Sequence, residues 1–428
     1  MVTKKLAAKK AAAKKAAPRN EPTKKAAPKV EGKAGDVIGG LIASINKEFG
    51  GAVMRRASDS STSHTLRRPT GIPDLDINGL AGGWPAGALC VVTGPDGAGK
   101  DYIINCTIRE LQKNYGDKMK VAIYSTEFPY DKRFAREVCG VEVAFTNEEL
   151  KEYNDARIAQ GHAPLTDDEQ VQYQHQIGEI LLIQGVIADH GLDIVLSVLE
   201  TGIFQLIVIN SLGVLETAAK ENTDSLEEHA AQSSEASLLA RFMPKMFMHL
   251  NRPISETLRN ETSLLAANQV RANRDMPRAR PGMTVPQHMK YQPGAGSRAL
   301  AHGKAIDLML HKGASILDKE MDPPMNLGRT INWEIQKGKL GTHDGIKGSY
   351  DFHYDGGADL ASNLLATAVR YEVIKQAGAW YSYEEPGGTL SFRAQGSDQA
   401  KAALYDATMA KSVYDATILA AGVVCRYT

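Results

Sequence analysis

The 428-residue chain has four cysteines, Cys90, Cys106, Cys139 and Cys425, and no two of them form a CxxC pair. This spacing argues against a disulfide framework and against a structural zinc site, and it fits a reducing cytosol. No apolar run reaches the roughly 18 residues of a membrane helix, so no membrane partner is expected. The N-terminus lacks an apolar stretch followed by a small-residue cleavage site, so no secretory signal is expected and the expected location is the cytoplasm. Net charge is lacking too, because 50 basic and 50 acidic side chains cancel. No internal repeat is present. What remains is the composition of a globular protein, 43% hydrophobic and 23% charged, on a length that accommodates two or three domains.

The zero charge conceals an asymmetry. Residues 1–34 carry ten lysines and Arg19 against Glu21 and Glu31, eleven cations against two carboxylates, a net +9. The rest of the chain therefore sums to −9. Repeated Lys/Ala blocks interrupted by Pro18, Pro22 and Pro28 offer no apolar face to bury, which predicts a disordered basic tail. Such an arm attracts polyanions by counterion release, without sequence choice. A solubilising tail with no partner is the plainer alternative.

Residues 35–69 read as a short helix and a linker. Val37, Ile38, Leu41, Ile42, Ile45 and Phe49 recur at helical spacing, and a stripe that short must dock on something. Ala57–Arg68 is rich in Ser and Thr and reads as linker. From 70 to 345, apolar strands at 88–94, 120–126, 204–211, 263–270, 305–312 and 330–337 alternate with helical stretches such as Tyr102–Tyr115 and Asp193–Thr201. That pattern predicts an α/β core with a mostly parallel sheet. The last strands follow one another without long helices, which predicts an antiparallel edge. Residues 143–178 are a polar, helical insertion. Residues 346–428 form a small C-terminal domain with a helix at Leu360–Gly378 and another at Asp398–Leu419.

Strand 88–94 runs into Gly94-Pro95-Asp96-Gly97-Ala98-Gly99-Lys100, with Asp101 and Tyr102 opening the next helix. This is a P-loop in its confirming strand–loop–helix context. Glycines let backbone N–H groups wrap phosphate oxygens, the helix N-terminus adds positive charge, and Lys100 reaches the β- and γ-phosphates of ATP. Residues 94–102 are thus the candidate nucleotide-binding set. The position after Lys100 ordinarily carries a Ser or Thr that ligates Mg²⁺; here it is Asp101. The apolar strand LIVIN ends at Asn210, where such ATPases ordinarily carry an Asp. A carboxylate is gained at one metal-facing position and lost at the other. The exchange reads as compensation, with Asp101 on Mg²⁺ and Asn210 holding one of its waters. Decay to a site that hydrolyses slowly or not at all is the rival.

The chain resembles the RecA family of homologous recombinases from about residue 36 to 400. Besides the P-loop, the resemblance rests on INKEFGGAVMRR (45–56), RRPTGIPDLD (67–76) with LAGGWPAG (80–87), NQVR (268–271) and QAGAWYSYEEPGG (376–388). It implies a RecA-type P-loop ATPase core, an N-terminal helical oligomerisation segment that packs on an adjacent protomer, and a small α/β C-terminal domain. Glu127 matches the family's catalytic carboxylate, suited to polarising a water for in-line attack. Asp131 and Phe134 match adenine contacts. Gln269 matches the residue that reports the γ-phosphate to a DNA loop. Lys337 and Lys339 match a pair that reaches a neighbour's phosphates, and at i, i+2 on one strand they would share a face. The implied activity is a DNA-dependent ATPase, reduced or altered by Asp101 and Asn210, that coats single-stranded DNA as a helical filament and pairs it with duplex DNA in recombination and repair. The divergent P-loop leans toward a phage-encoded version acting in a host's cytoplasm.

For DNA, the basic segment 271–298 holds Arg271, Arg274, Arg278, Arg280, Lys290 and Arg298, with Tyr291 and several methionines interleaved. Cations suit phosphates and aromatic rings stack on bases. The segment matches the family's second DNA loop, and Arg241 matches a DNA contact at the start of a helix. The first DNA loop would fall near Glu216–Ser234. Two other readings stay open: a nucleotide-gated DNA-coating filament without useful catalysis, and a helicase or translocating ring.

Overall fold

The computed structural model describes residues 37–50, 53–56, 66–215, 231–251, 260–272, 291–293, 298–388 and 390–427. The basic tail, most of the first DNA loop and most of the second lie outside the described residues. Two compact units divide the chain, residues 1–58 and residues 59–428.

In the first unit, α1 (Val37–Phe49) buries none of its residues, and Val37, Ile38 and Phe49 are well exposed. The Asn46 side chain donates to the Met54 carbonyl at 2.9 Å and accepts from the Met54 N–H at 2.8 Å, tying the following segment back to the helix.

The second unit is built on a ten-stranded sheet. In chain order its elements begin with β1 (Arg67–Arg68) and β2 (Trp84–Pro85), a small separate ribbon, then β3 (Leu89–Gly94), α2 (Lys100–Tyr115), β4 (Lys120–Ser125) and α3 (Lys132–Glu137). Next come α4 (Asn147–Ala159), α5 (Asp167–Gln174), β5 (Glu179–Ile183), α6 (Ala188–Thr201), β6 (Leu206–Asn210), α7 (Ala231–Asn251), β7 (Ser263–Ala272) and β8 (Tyr291–Pro293). The core closes with α8 (Arg298–Gly303), β9 (Ile306–Asp318), β10 (Met325–Lys337), β11 (Lys347–His353) and β12 (Gly357–Ala358). Strand order is β12-β11-β10-β9-β3-β7-β6-β4-β5, with β8 paired to β7. Strands β9, β3, β7, β6, β4 and β5 run parallel, and β10, β11 and β12 add the antiparallel edge expected from the sequence.

Helices cover both faces of the parallel part, so its strands are apolar throughout rather than alternating with polar residues. Strand periodicity assigns each side chain to a layer. Cys90 and Val92 of β3 join Ile103, Ile108 and Leu111 of α2 on one face. Leu89 and Val91 join Leu192 and Val195 of α6 and Phe242 and Met246 of α7 on the other. Strand β5 was missed in the sequence because EILLI sits at the sheet edge, half exposed. The 143–178 insertion has its own small nucleus, Phe145, Leu150 and Leu165 against Tyr153 and Tyr173. Capping boxes at Thr146/Glu149 and Thr166/Glu169 start its two helices.

The sheet passes the boundary read at 345, because β11 pairs with β10 over seven registered positions and carries β12 with it. Beyond it, α9 (Leu360–Arg370), β13 (Lys375–Ala377), β14 (Trp380–Glu384), β15 (Ser391–Gln395), α10 (Ser397–Ala403) and α11 (Ala407–Ala420) enclose a third apolar cluster. Two helices read from the sequence are shorter than expected. The first stops at Arg370, before Glu372 at φ 58°, and the second is broken where Asp406 caps α11 by accepting from the Met409 N–H. The chain end is strapped onto the core: the Arg67 N–H donates to the Arg426 carbonyl at 2.8 Å, the Tyr115 hydroxyl donates to the Tyr427 carbonyl at 3.2 Å, and Arg426 pairs with Glu261 at 2.7 Å.

Candidate active site

The loop between β3 and α2 is shaped by glycine. Gly97 and Gly99 sit at φ 62° and 88°, a region that strains residues with a Cβ, and Gly99 is the N-cap of α2. The Lys100 ammonium folds over the loop and donates to the carbonyls of Gly94 (2.9 Å) and Pro95 (3.1 Å). Burial lowers its pKa, opposed by the carboxylates of Asp101, Asp96 and Glu127. Pro95, Asp96 and Ala98 complete the turn.

Asp101 and Asn210 meet. The Asn210 amide donates to the Asp101 carboxylate at 3.0 Å, joining the first turn of α2 to the end of β6. Burial raises the Asp101 pKa, opposed by Lys100 and by the Asn210 hydrogen bond. A carboxylate whose charge is disfavoured, beside an amide, is an oxygen-rich corner suited to a hard cation that takes its other ligands from phosphate and water. Among the described residues no group of three His, Cys, Asp or Glu side chains could hold a metal by itself. Asp101 and Asn210 fit Mg²⁺ held jointly with a nucleotide, because carboxylate and amide oxygens are ligands for that hard cation.

The ends of three parallel strands converge on Glu127, just past β4. Its carboxylate accepts from the Gln269 amide of β7 at 2.7 Å and from the Ser211 hydroxyl that follows β6. Ser211 is itself held by Thr126, whose hydroxyl donates to the Ser211 carbonyl at 3.0 Å and accepts from the Ser211 N–H at 2.9 Å. Gln269 stands beside Gly94 in the β3–β7 register, so the phosphate loop and the carboxylate share a neighbour. Thr126 and Ser211 are absent from the sequence reading; the only available signal was their place at strand ends. Also unforeseen is Asn105, which donates to the Asp101 backbone carbonyl at 2.9 Å and accepts from the Tyr130 hydroxyl at 2.7 Å.

Several candidates make contacts of their own within the chain. Tyr102 offers no side chain to the loop; its ring is buried against Phe352 at a centroid distance of 4.9 Å, and its hydroxyl accepts from the Ala358 N–H at 2.7 Å. Asp131 caps α3 by accepting from the Phe134 N–H at 2.9 Å, and Phe134 packs half-buried on the α2-side core. Lys337 ends β10 and donates to the carbonyls of Ala301 (2.6 Å) and His302 (3.2 Å) near the end of α8. Lys339 lies past the strand, exposed, so the shared strand face does not hold for the pair. Arg241 sits in the middle of α7, not at its start, and pairs with Asp189 at 3.3 Å, while Lys245 faces Asp193 at 4.0 Å. The 271–298 segment is no continuous loop: Arg271 and Ala272 pair antiparallel with Gln292 and Tyr291, closing it at the base. Arg298 opens α8 and is exposed. Arg274, Arg278, Arg280 and Lys290 lie outside the described residues.

No protein-family model matches the chain. It is similar to Protein RecA of Leptospira biflexa, 26% identical over 366 residues, covering 85% of this chain and 79% of the relative. Protein RecA of Leptospira meyeri is 26% identical over 384 residues, 90% and 82% of the two chains. Protein RecA of Chlorobaculum tepidum is 26% identical over 343 residues, 80% and 81%. No helix among the described residues is long and apolar enough to cross a membrane. With a mostly parallel sheet and a glycine-shaped loop after its β3 strand, the chain is similar to RecA proteins through four fifths or more of its length.

Proposed function

We propose that the chain is an ATP-dependent recombinase that polymerises on single-stranded DNA and promotes homologous pairing and strand exchange. Similarity to Protein RecA of two Leptospira species supports a role in recombination and repair with ATP and DNA as ligands. The observation that carries it is the 2.7 Å bond between Gln269 and Glu127. A γ-phosphate arriving beside Glu127 competes for the Gln269 amide, and Gln269 lies on β7, the strand that leads into the basic segment 271–298. Nucleotide state is thereby coupled to the DNA-binding element.

In this reading the backbone N–H groups of residues 95–100 hold the phosphates, and Lys100 leaves its carbonyl partners for the β- and γ-oxygens. Glu127 orients the attacking water and takes its proton, held in place by Ser211. Asp101 and Asn210 would hold Mg²⁺, which when bound neutralises charge on the phosphate oxygens. Lys337 and Lys339 act on the phosphates of a neighbouring protomer, so ATP stiffens the filament and hydrolysis loosens it. DNA is gripped through its backbone and by stacking, with sequence supplied by base pairing.

The second reading, a DNA-coating filament with weak or no hydrolysis, draws on Asn210 standing where a carboxylate is expected. Strand-exchange assays with ATP and with a non-hydrolysable analogue across Mg²⁺ concentrations test the proposal. DNA-stimulated phosphate release with pairing supports recombination. DNA coating without phosphate release or pairing supports the second reading. A chain that stays monomeric on oligonucleotides with saturating ATP and Mg²⁺ sinks both.

A further inference from the structure

A further cation, Lys312, lies beside the phosphate loop. Strand β9 runs parallel to β3 with Thr93 opposite Met309, so Lys312, three residues further on, stands alongside the loop rather than the strand. A Cβ placed on Gly97 would lie 3.5 Å from the Lys312 Nζ and 3.7 Å from its Cε. This is the end of a parallel sheet at which such folds bind ligands.

The register fixes the direction of the side chain. Ile331 of β10 stands opposite Lys312 on one side and opposite Tyr350 of β11 on the other. Directly opposed residues in antiparallel strands share a face, so Lys312, Ile331 and Tyr350 form a row under the loop. The Tyr350 hydroxyl, on a side chain only 3% exposed, has no hydrogen-bond partner among the described residues and lies 3.3 Å from the Cβ position of Gly99. The loop therefore rests on this row at Gly97 and Gly99.

Charge gives the row a purpose. Asp96, Asp101 and Glu127 all act on Lys100. Asp101 adds a carboxylate where a hydroxyl is ordinary, which repels a triphosphate more than a neutral ligand would. Lys312 is exposed and pairs with no carboxylate among the described residues. We propose that Lys312 is a second phosphate-binding cation of the cradle, supplied by β9 of the same chain and directed at the terminal phosphate of a nucleoside triphosphate. The proposal rests on the ATPase reading above. Lys312 offsets the charge that Asp101 introduces, so the altered loop binds triphosphate with two lysines rather than one.

The test uses the full chain, Lys312→Met and Lys312→Arg, with calorimetric titration of a non-hydrolysable ATP analogue and of ADP, both with Mg²⁺. The expected result is triphosphate affinity about tenfold lower in K312M, diphosphate affinity within about twofold of wild type, and K312R close to wild type, at unchanged melting temperature. Equal triphosphate affinity in wild type and K312M overturns the assignment while leaving the ATPase reading intact. Equal losses for both nucleotides also overturn it, because they mark a loop-supporting role. Failure of the wild-type chain to bind either nucleotide overturns the ATPase reading and this assignment together.

Discussion

Asp101 and Asn210 have exchanged the side-chain chemistry expected at their positions and hydrogen-bond each other at 3.0 Å. Contacting groups are not independent, so their substitution effects should not add. Asp101→Thr and Asn210→Asp are each expected to lower DNA-stimulated phosphate release, and the double variant is expected to recover most of it. Two losses that simply add in a double-mutant cycle would show that the exchange is decay. Glu127 accepts hydrogen bonds from Gln269 and Ser211, and in the proposed reading it activates the attacking water. Glu127→Gln is expected to cut turnover by roughly 10²–10⁴ while retaining nucleotide binding, measured as phosphate release beside analogue titration. The glycine loop was legible in the chain because it rests on local spacing, whereas Glu127 and Gln269 were singled out only by resemblance to matched motifs. Tyr102 was misread because helix phase, not proximity to Lys100, decides where it points: with Cys106 at i+4 it lies on the α2 face turned to the core.

At the scale of elements, the strand–loop–helix unit depends on one backbone conformation. Gly99 combines φ 88° with the Tyr350 hydroxyl 3.3 Å from a Cβ position. Gly99→Ala is expected to cost about 1–3 kcal/mol of stability and to weaken nucleotide binding, read by denaturant unfolding and titration. The strand blocks were visible because buried parallel strands are continuous apolar runs. Strand β5, half exposed at the edge, lacked that signal. The long helices predicted after residue 357 failed for the opposite reason: their apolar periodicity continues across breaks that Glu372 and the Asp406 cap impose. The ion pairs of Arg241 with Asp189 and of Lys245 with Asp193 depend on α6 lying against α7, which no local pattern announces.

At the scale of the whole molecule, one buried acid ties the entry segment to the C-terminal region. The Asp76 carboxylate accepts from the Thr70 N–H, the Thr70 hydroxyl and the Gly71 N–H, each at 2.8 Å, and from the Tyr414 hydroxyl of α11 at 3.4 Å. Burial nevertheless pushes its pKa up to about 7. A carboxyl raised in the folded state binds its proton more tightly there than in the unfolded chain. Its contribution to stability is fully present below about pH 4 and is lost as pH rises through about 7. Urea unfolding midpoints of the full chain are expected to fall from pH 5 to pH 8, and the Asp76 component of that fall should be absent in Asp76→Asn, itself less stable because an amide cannot accept from all four donors. Deleting residues 1–34 removes a net +9. If the tail contacts DNA, the slope of log affinity against log salt becomes shallower by several units; an unchanged slope would mark the tail as a solubilising arm.

The sequence by itself determined the alternation of strands and helices, the phosphate loop and its exchanged Asp101, because these depend on residues a few positions apart: hydrophobic period, glycine freedom and helix caps. Only the tertiary structure decided which distant segments meet. Glu127 and Gln269 are separated by 142 positions, Asp101 and Asn210 by 109, and Lys312 reaches the loop because β9 pairs beside β3. Those meetings follow from strand order, which is set by packing both sheet faces at once, a global balance of burial that no local stretch of chain records.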